Sequence, residues 1–201
     1  PGIILGQRGG RLRVDLLEPS GQTGFSLAVD GDWARVLLPL EAALYAGPLI
    51  EAGGLLPAGL SPEDIVVLLA GGLPGLEEAR PVHLSLEEAS RRWRVVLEGE
   101  QSLVVWVEQG SGLLVEAEVF DHKGGPEKTG MKITYADHRN VSGVTAPFSV
   151  RIITPEGDEM AVEYTSLEFN LDLPQAVFHP PTPPGFSRRP LSEMLEWMPP
   201  S

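Results

Sequence analysis

The chain contains no cysteine, which removes disulfides, thiolate zinc sites, iron–sulfur clusters and cysteine nucleophiles together. It is also poor in cations. Lys and Arg number 15 against 28 Asp and Glu, a net charge of −13, and a surface that acidic repels a phosphate backbone, so nucleic acid is excluded as a partner. A bilayer-spanning run is missing as well. The most apolar stretch, residues 34–60, carries only Arg35, Glu41 and Glu51 as charges. Pro39, Pro48 and Pro57 nevertheless remove backbone donors at roughly nine-residue intervals, and no continuous helix of about 20 residues survives them.

What is present suits one folded unit. At 201 residues, 42% hydrophobic and with mean hydropathy near zero, the composition is that of a globular protein of about one domain with a real core. The chain opens on Pro1 without an initiator methionine, so an upstream signal or anchor segment is expected.

Alternation of apolar and polar residues is the dominant pattern, interrupted by Gly, Pro, Asp and Asn, and it predicts many strands. Leu12, Val14 and Leu16 alternate with charges; Phe25, Leu27 and Val29 follow; residues 33–38 come next after the turn Asp30-Gly31-Asp32. Trp93, Val95 and Leu97 begin a run that reverses near Glu98-Gly99-Glu100 into residues 102–108. Val115, Ala117 and Val119 alternate with Glu116 and Glu118, which reads as an apolar face backed by a solvated one. Met131, Ile133, Tyr135; Phe148, Val150, Ile152; and Met160, Val162, Tyr164 repeat the pattern. A last strand is expected over residues 167–173, its parity changed by a bulge near Thr165-Ser166. Ser61-Pro62-Glu63-Asp64 opens a helix whose stripe is Ile65, Leu68 and Leu69 and which Gly71-Gly72 ends. A weaker helix is expected over residues 85–92. The expectation is an α+β fold: a single antiparallel sheet of about nine to eleven strands, large enough to curl.

From Phe178 the sequence becomes a stiff connector, His-Pro-Pro-Thr-Pro-Pro-Gly. Beyond it Leu191, Met194, Leu195 and Met198 fall at helical spacing, with Trp197 adjacent. Two readings fit this tail, a short amphipathic helix packed on its own sheet or a docking surface for a protein partner, and the first is favoured. The division expected is a main domain over residues 1–186 and a tail over residues 187–201.

Motifs for catalysis fail on spacing. In residues 124–130 a Lys-Thr pair follows Glu127 where a phosphate loop requires glycine. Gly110-Ser111-Gly112 is a turn and no nucleophile elbow. His83, His122, His138 and His179 stand singly, without metal-ligand spacing. Asp121-His122 and Asp137-His138 are neighbours that a strand points to opposite faces. No catalytic residue, metal site or cofactor is indicated, and the expectation is a protein without enzymatic activity. The remaining feature is one apolar face repeated over many strands with an amphipathic helix to cover it; such a face serves equally as a filled core.

Residues 11–21 followed by 25–32, Tyr45-Ala46-Gly47-Pro48, and residues 60–64 running to Leu73-Pro74 resemble the front half of the LolB-like outer-membrane lipoproteins. Residues 131–135 with Val141-Ser142-Gly143 and Ala146-Pro147 are similar to the rear half, a lysine-containing strand ending in tyrosine, a Gly turn and a proline opening the next strand. Phe178 with Pro180, Pro181 and Gly185 is similar to the close of LolA-type carriers.

The resemblance implies an unclosed (half) β-barrel with helices covering the concave face, holding a lipid or the acyl chains of a lipoprotein in the periplasm or at the periplasmic face of the outer membrane. It also implies lipid anchoring at an N-terminal cysteine upstream of Pro1. The wall of such a cavity would be Phe25, Leu27, Val115, Ala117 and Val119, continued by Met131, Ile133, Phe148, Val150 and Ile152, with Ile65, Leu68 and Leu69 as the lid. Each buried methylene adds about 0.8 kcal/mol, so an acyl chain is held without polar contacts. One position departs from the family. Where the lipoprotein receptor has an exposed leucine in a Pro-Leu-Gly turn, this chain has Pro19-Ser20-Gly21. That puts delivery into a membrane in doubt and keeps a second expectation alive, an envelope sensor or interaction module on the same fold, comparable to RseB-like regulators.

Overall fold

The computed structural model describes residues 1–51, 55–57, 60–120 and 130–195. Among them the chain forms thirteen strands and two helices in two compact units. The first unit joins Pro1–Val66 to Asp172–Ser201, and the second is Val67–Leu171.

The first unit holds a six-stranded sheet. β1 (Gly2–Gln7), β2 (Arg11–Leu17), β3 (Thr23–Asp30), β4 (Trp33–Leu38) and β5 (Ala43–Pro48) form an antiparallel meander. β13 (Ser187–Pro190) then joins the far side of β5 in parallel. Leu12, Val29 and Ala34 share one row and Leu27 and Val36 the next, all buried. On the opposite face the 3₁₀ turn Gln175–Phe178 is fixed to β2 and β3. Arg13 Nη1 donates to the Val177 carbonyl at 3.0 Å. Asp30 accepts from Arg11 Nε at 2.9 Å and Gln175 Nε2 at 3.3 Å, and it pairs with His179. The His179 contact first, and then Arg11, holds the Asp30 carboxyl down at about 2. Phe178 is fully buried.

Helix α1 (Pro62–Leu69) starts as its sequence predicts. Ser61 Oγ accepts from the Asp64 N–H at 3.1 Å while Asp64 Oδ2 accepts from the Ser61 N–H at 2.9 Å, a reciprocal cap. Its end is equally definite. Gly71 N–H donates to Leu68 and Gly72 N–H to Val67, a Schellman motif that needs the left-handed φ of +87° at Gly71. A side chain at Gly71 is excluded twice, since its Cβ would lie 2.6 Å from Pro147 Cδ.

The second unit holds a seven-stranded antiparallel sheet in the order β12-β11-β10-β9-β8-β7-β6. Its strands are β6 (Arg80–Glu87), β7 (Arg92–Glu98), β8 (Ser102–Glu108), β9 (Leu114–Phe120), β10 (Met131–Val141), β11 (Val144–Ile153) and β12 (Glu159–Glu163). Ser142 and Gly143, at φ +51° and +89°, make the two-residue turn between Val141 and Val144, as a type I′ hairpin requires.

Four expectations are corrected. The sheet is not single: β5 meets β13 instead of β6, so the strands divide into two sheets, neither closed into a barrel. The strands exceed the expected number because β1, β5 and β13 lack clean alternation, and the alternation of Val82, Leu84 and Leu86 in β6 was not read as a strand. Residues 85–92 are the end of β6, a four-residue turn and the start of β7, where cross-strand pairing with Arg92–Glu98 overrides helical spacing. Residues 167–173 alternate but enter neither sheet; Asn170 takes a φ of +58°, which breaks an extended run. The rejected motif in residues 124–130 and the pair Asp121-His122 fall on or across residues outside those described, as do Trp197 and Met198.

Candidate functional site

The register of the seven-stranded sheet assembles its apolar residues into rows. Cross-strand partners project to one face, so Leu97, Leu103, Val119 and Met131 form one row. Val95, Val105, Ala117, Ile133, Ile152 and Met160 form the next, followed by Tyr135, Val150 and Val162. Phe148 lies two residues beyond Val150 on the same face of β11 and meets Tyr164 edge-on, ring centroids 6.4 Å apart. The face is therefore continuous across β7 to β12. Its centre is sealed from water: Ala117, Ile133, Val150 and Ile152 are buried, as are Val119 and Phe148, while Val115 and Met131 are half-buried.

Two tyrosines join this face to the end of α1. Tyr135 donates its hydroxyl to the Gly72 carbonyl at 2.6 Å, and Tyr164 donates to the Leu69 carbonyl at 3.1 Å. Leu69 is in the last turn of the helix, whose carbonyls have no helical partner; the Schellman bonds satisfy Val67 and Leu68, and Tyr164 satisfies the next. Burial pushes the Tyr164 hydroxyl up to about 12 and the Tyr135 hydroxyl higher still, because a phenolate there would lose its hydration. At the same end of the face Arg139 lies over the Phe148 ring, 4.2 Å from its centroid, and its guanidinium is held by Asp137.

The reverse face is polar but not merely solvated. Glu116 accepts from Lys132 at 2.6 Å and Arg92 at 3.3 Å, bridging β7 and β10 across its own strand. Arg94 stacks on Trp106 at 5.7 Å. The expectation of a plain solvated face is corrected for Glu116.

Of the wall residues expected from the sequence, seven come together: Ala117, Val119, Met131, Ile133, Phe148, Val150 and Ile152 share this one face, while Val115 is the unpaired residue where the β8–β9 register shifts. Phe25 and Leu27 belong to β3 of the six-stranded sheet in the first unit, where Leu27 packs into the row of Val14 and Val36 and Phe25 is half-buried. Among the lid residues, Ile65 falls in the first unit and Leu68 and Leu69 in the second, and all three are buried. The sequence reading missed the contributions of β7 and β8 and the role of both tyrosines; the parity of Tyr135 and Tyr164 with their strands' apolar positions was the available signal. Ser20 sits exposed in the β2–β3 turn, its Oγ accepting from the Gln22 N–H at 3.4 Å.

This architecture is similar to that of several solved proteins. A LolA superfamily protein from Nitrosomonas europaea matches with a TM-score of 0.55 and 16% identity over 88% of this chain and 80% of the other. The fold is LolA/LolB-like. A domain described as outer-membrane lipoprotein-sorting, from Vibrio parahaemolyticus, matches with a TM-score of 0.53 and 13% identity over 87% and 78%. A DUF1329-family protein from Desulfovibrio piger gives 0.52 and 16% over 88% and 79%. No family profile matches the sequence, and no curated protein matches it significantly. No helix among the described residues is long and apolar enough to cross a membrane.

Proposed function

We propose that this chain is a non-enzymatic protein of the Gram-negative envelope that binds lipid or lipoprotein acyl chains. The observation that carries the reading is the continuous apolar face of β7 to β12. In this reading the seven-stranded sheet curls as a half-barrel wall around Ala117, Ile133, Val150 and Ile152. α1 acts as the lid through Leu68 and Leu69, its C-terminal end tied to the sheet by Tyr164 at Leu69 and by Tyr135 at Gly72. Affinity comes from methylenes removed from water, at about 0.8 kcal/mol each, and needs no cofactor or metal. The likeness to a lipoprotein-sorting domain supports the ligand class, and a periplasmic location with an N-terminal lipid anchor follows from the same reading.

The test joins ligand recovery to a wall mutation. Organic-solvent extraction of the purified protein should release lipid, and the emptied protein should bind a fluorescent fatty-acid probe. Ala117→Trp places an indole in the middle of the wall. In an acyl-chain site the variant keeps its fold and loses the probe. In a filled core the same change overpacks the sheet at about 1–3 kcal/mol, and the wild type binds no probe, which would refute the reading.

A further inference from the structure

The seven-stranded sheet has two edges, and they are built differently. On the β12 edge the exposed positions are Glu159, Ala161 and Glu163, charged or small. On the β6 edge Val82, Leu84 and Leu86 are 53%, 59% and 37% exposed. An open edge presents unpaired backbone donors and acceptors, and apolar side chains beside them make it a template for another strand. β6 guards only its first part: Pro81 lacks an N–H, and the register against β7 slips between Pro81 and His83. Residues 83–87 pair regularly with β7, and among the described residues no strand pairs with their outer side.

We propose that residues 83–87 pair antiparallel with the same residues of a second copy, about a two-fold axis through Ser85, joining two seven-stranded sheets edge to edge. The segment is complementary to itself in this register. Leu84 meets Leu86 of the second copy and Leu86 meets Leu84, on the face that carries Val95 and Trp93. On the other face His83 meets Glu87 of the second copy at both ends, a hydrogen-bonding pair. Ser85 meets itself in the middle. No two like charges fall opposite one another, so the net charge of −13 is not concentrated at the contact. Glu87 is already oriented, because Trp106 Nε1 donates to its carboxylate at 3.0 Å. A slip of one residue would put leucines against the polar side, which fixes the register. The contact uses the same patch on both copies, so it closes at a dimer and does not propagate. The two-fold axis stands normal to the sheet and leaves both apolar faces on one side.

The absence of cysteine makes the register directly testable. In a two-fold antiparallel pair the Ser85 Cα atoms stand about 4.5–5.5 Å apart, within the span of a disulfide. Ser85→Cys should therefore crosslink to a dimer on mild oxidation, and Ser111→Cys, exposed in the β8–β9 turn, should remain monomeric. Sedimentation velocity of the full chain from micromolar to submillimolar concentration should show reversible dimerisation, weakened at least tenfold by Leu84→Lys with an unchanged circular dichroism spectrum. Three results each overturn the proposal: a wild type monomeric throughout, a dimer of unchanged strength in Leu84→Lys, or Ser85→Cys crosslinking no faster than Ser111→Cys.

Discussion

Tyr135, in the middle of β10, reaches 63 residues back along the chain to donate its hydroxyl to Gly72, just past the end of α1. The bond does two things. It gives the Gly72 carbonyl a donor, and it ties the turn after α1 to β10. Removing the hydroxyl alone should therefore expose an energetic cost without changing the packing. Tyr135→Phe should lower unfolding free energy by about 1–2 kcal/mol, since a half-buried carbonyl is left without this donor. Tyr164→Phe should cost less, its bond being longer. Urea denaturation of both variants checks the order.

The same pair predicts alkaline sensitivity. Unfolded tyrosine ionises near pH 10, while Tyr164 in the fold ionises at about 12 and Tyr135 is raised further. Between those values the unfolded chain loses protons that the folded chain keeps, so stability falls as pH rises from about 10. Phenolate absorbance should rise together with loss of sheet signal. Tyr164→Phe should reduce the stability lost between pH 10 and 12.

Asp30 predicts the opposite limb. Its carboxyl is held at about 2 by His179 and Arg11, so the stability it supplies is present above the unfolded value near 4 and is lost as pH falls toward 2. Asp30→Asn should be less stable than wild type at pH 7, and the gap should narrow steadily below pH 4. Denaturation midpoints measured across that interval provide the comparison; a constant gap would mean that the carboxylate's charge is not what anchors the connector.

The tail should be part of the fold. β13 completes the edge of β5, Leu191 N–H donates to the Ala46 carbonyl at 3.2 Å, and Leu191 and Met194 are buried, with Leu191 Cβ packed over Gly47. Deleting residues 187–201 should lower the melting temperature and expose an apolar edge. Leu191→Ala alone should cost about 2–5 kcal/mol, the usual range for a fully buried leucine. An unchanged melting temperature in the deletion would point to the tail as a partner surface.

How much of this was legible beforehand varies with the range of the interaction responsible. Val115, Ala117 and Val119 alternate because one strand face is apolar, and that is written in five consecutive residues. Ser61, Pro62 and Asp64 announce the start of α1, and Gly71 its end, because caps involve residues a few positions apart. The division into two sheets had no such signal. It depends on which strand takes the free edge of β5, and that strand, Ser187–Pro190, lies about 140 residues away and does not alternate at all. Residues 167–173 make the converse case: perfect alternation, but a left-handed Asn170 in the middle and no pairing in either sheet.

The sequence by itself determined the face of each amphipathic strand, the boundaries of α1 and the absence of catalytic spacing, since each of these is set by side chains within a few residues of one another. Only the tertiary structure decided that Phe25 and Leu27 belong to a different sheet from Ala117 and Ile133. It alone placed the Tyr135 and Tyr164 hydroxyls at the end of α1 and left Leu84 and Leu86 on an open edge. Pairing energy in a sheet depends on backbone groups that every residue carries alike, so the choice of partner strand is made by the whole chain's packing and leaves little trace in any local run of residues.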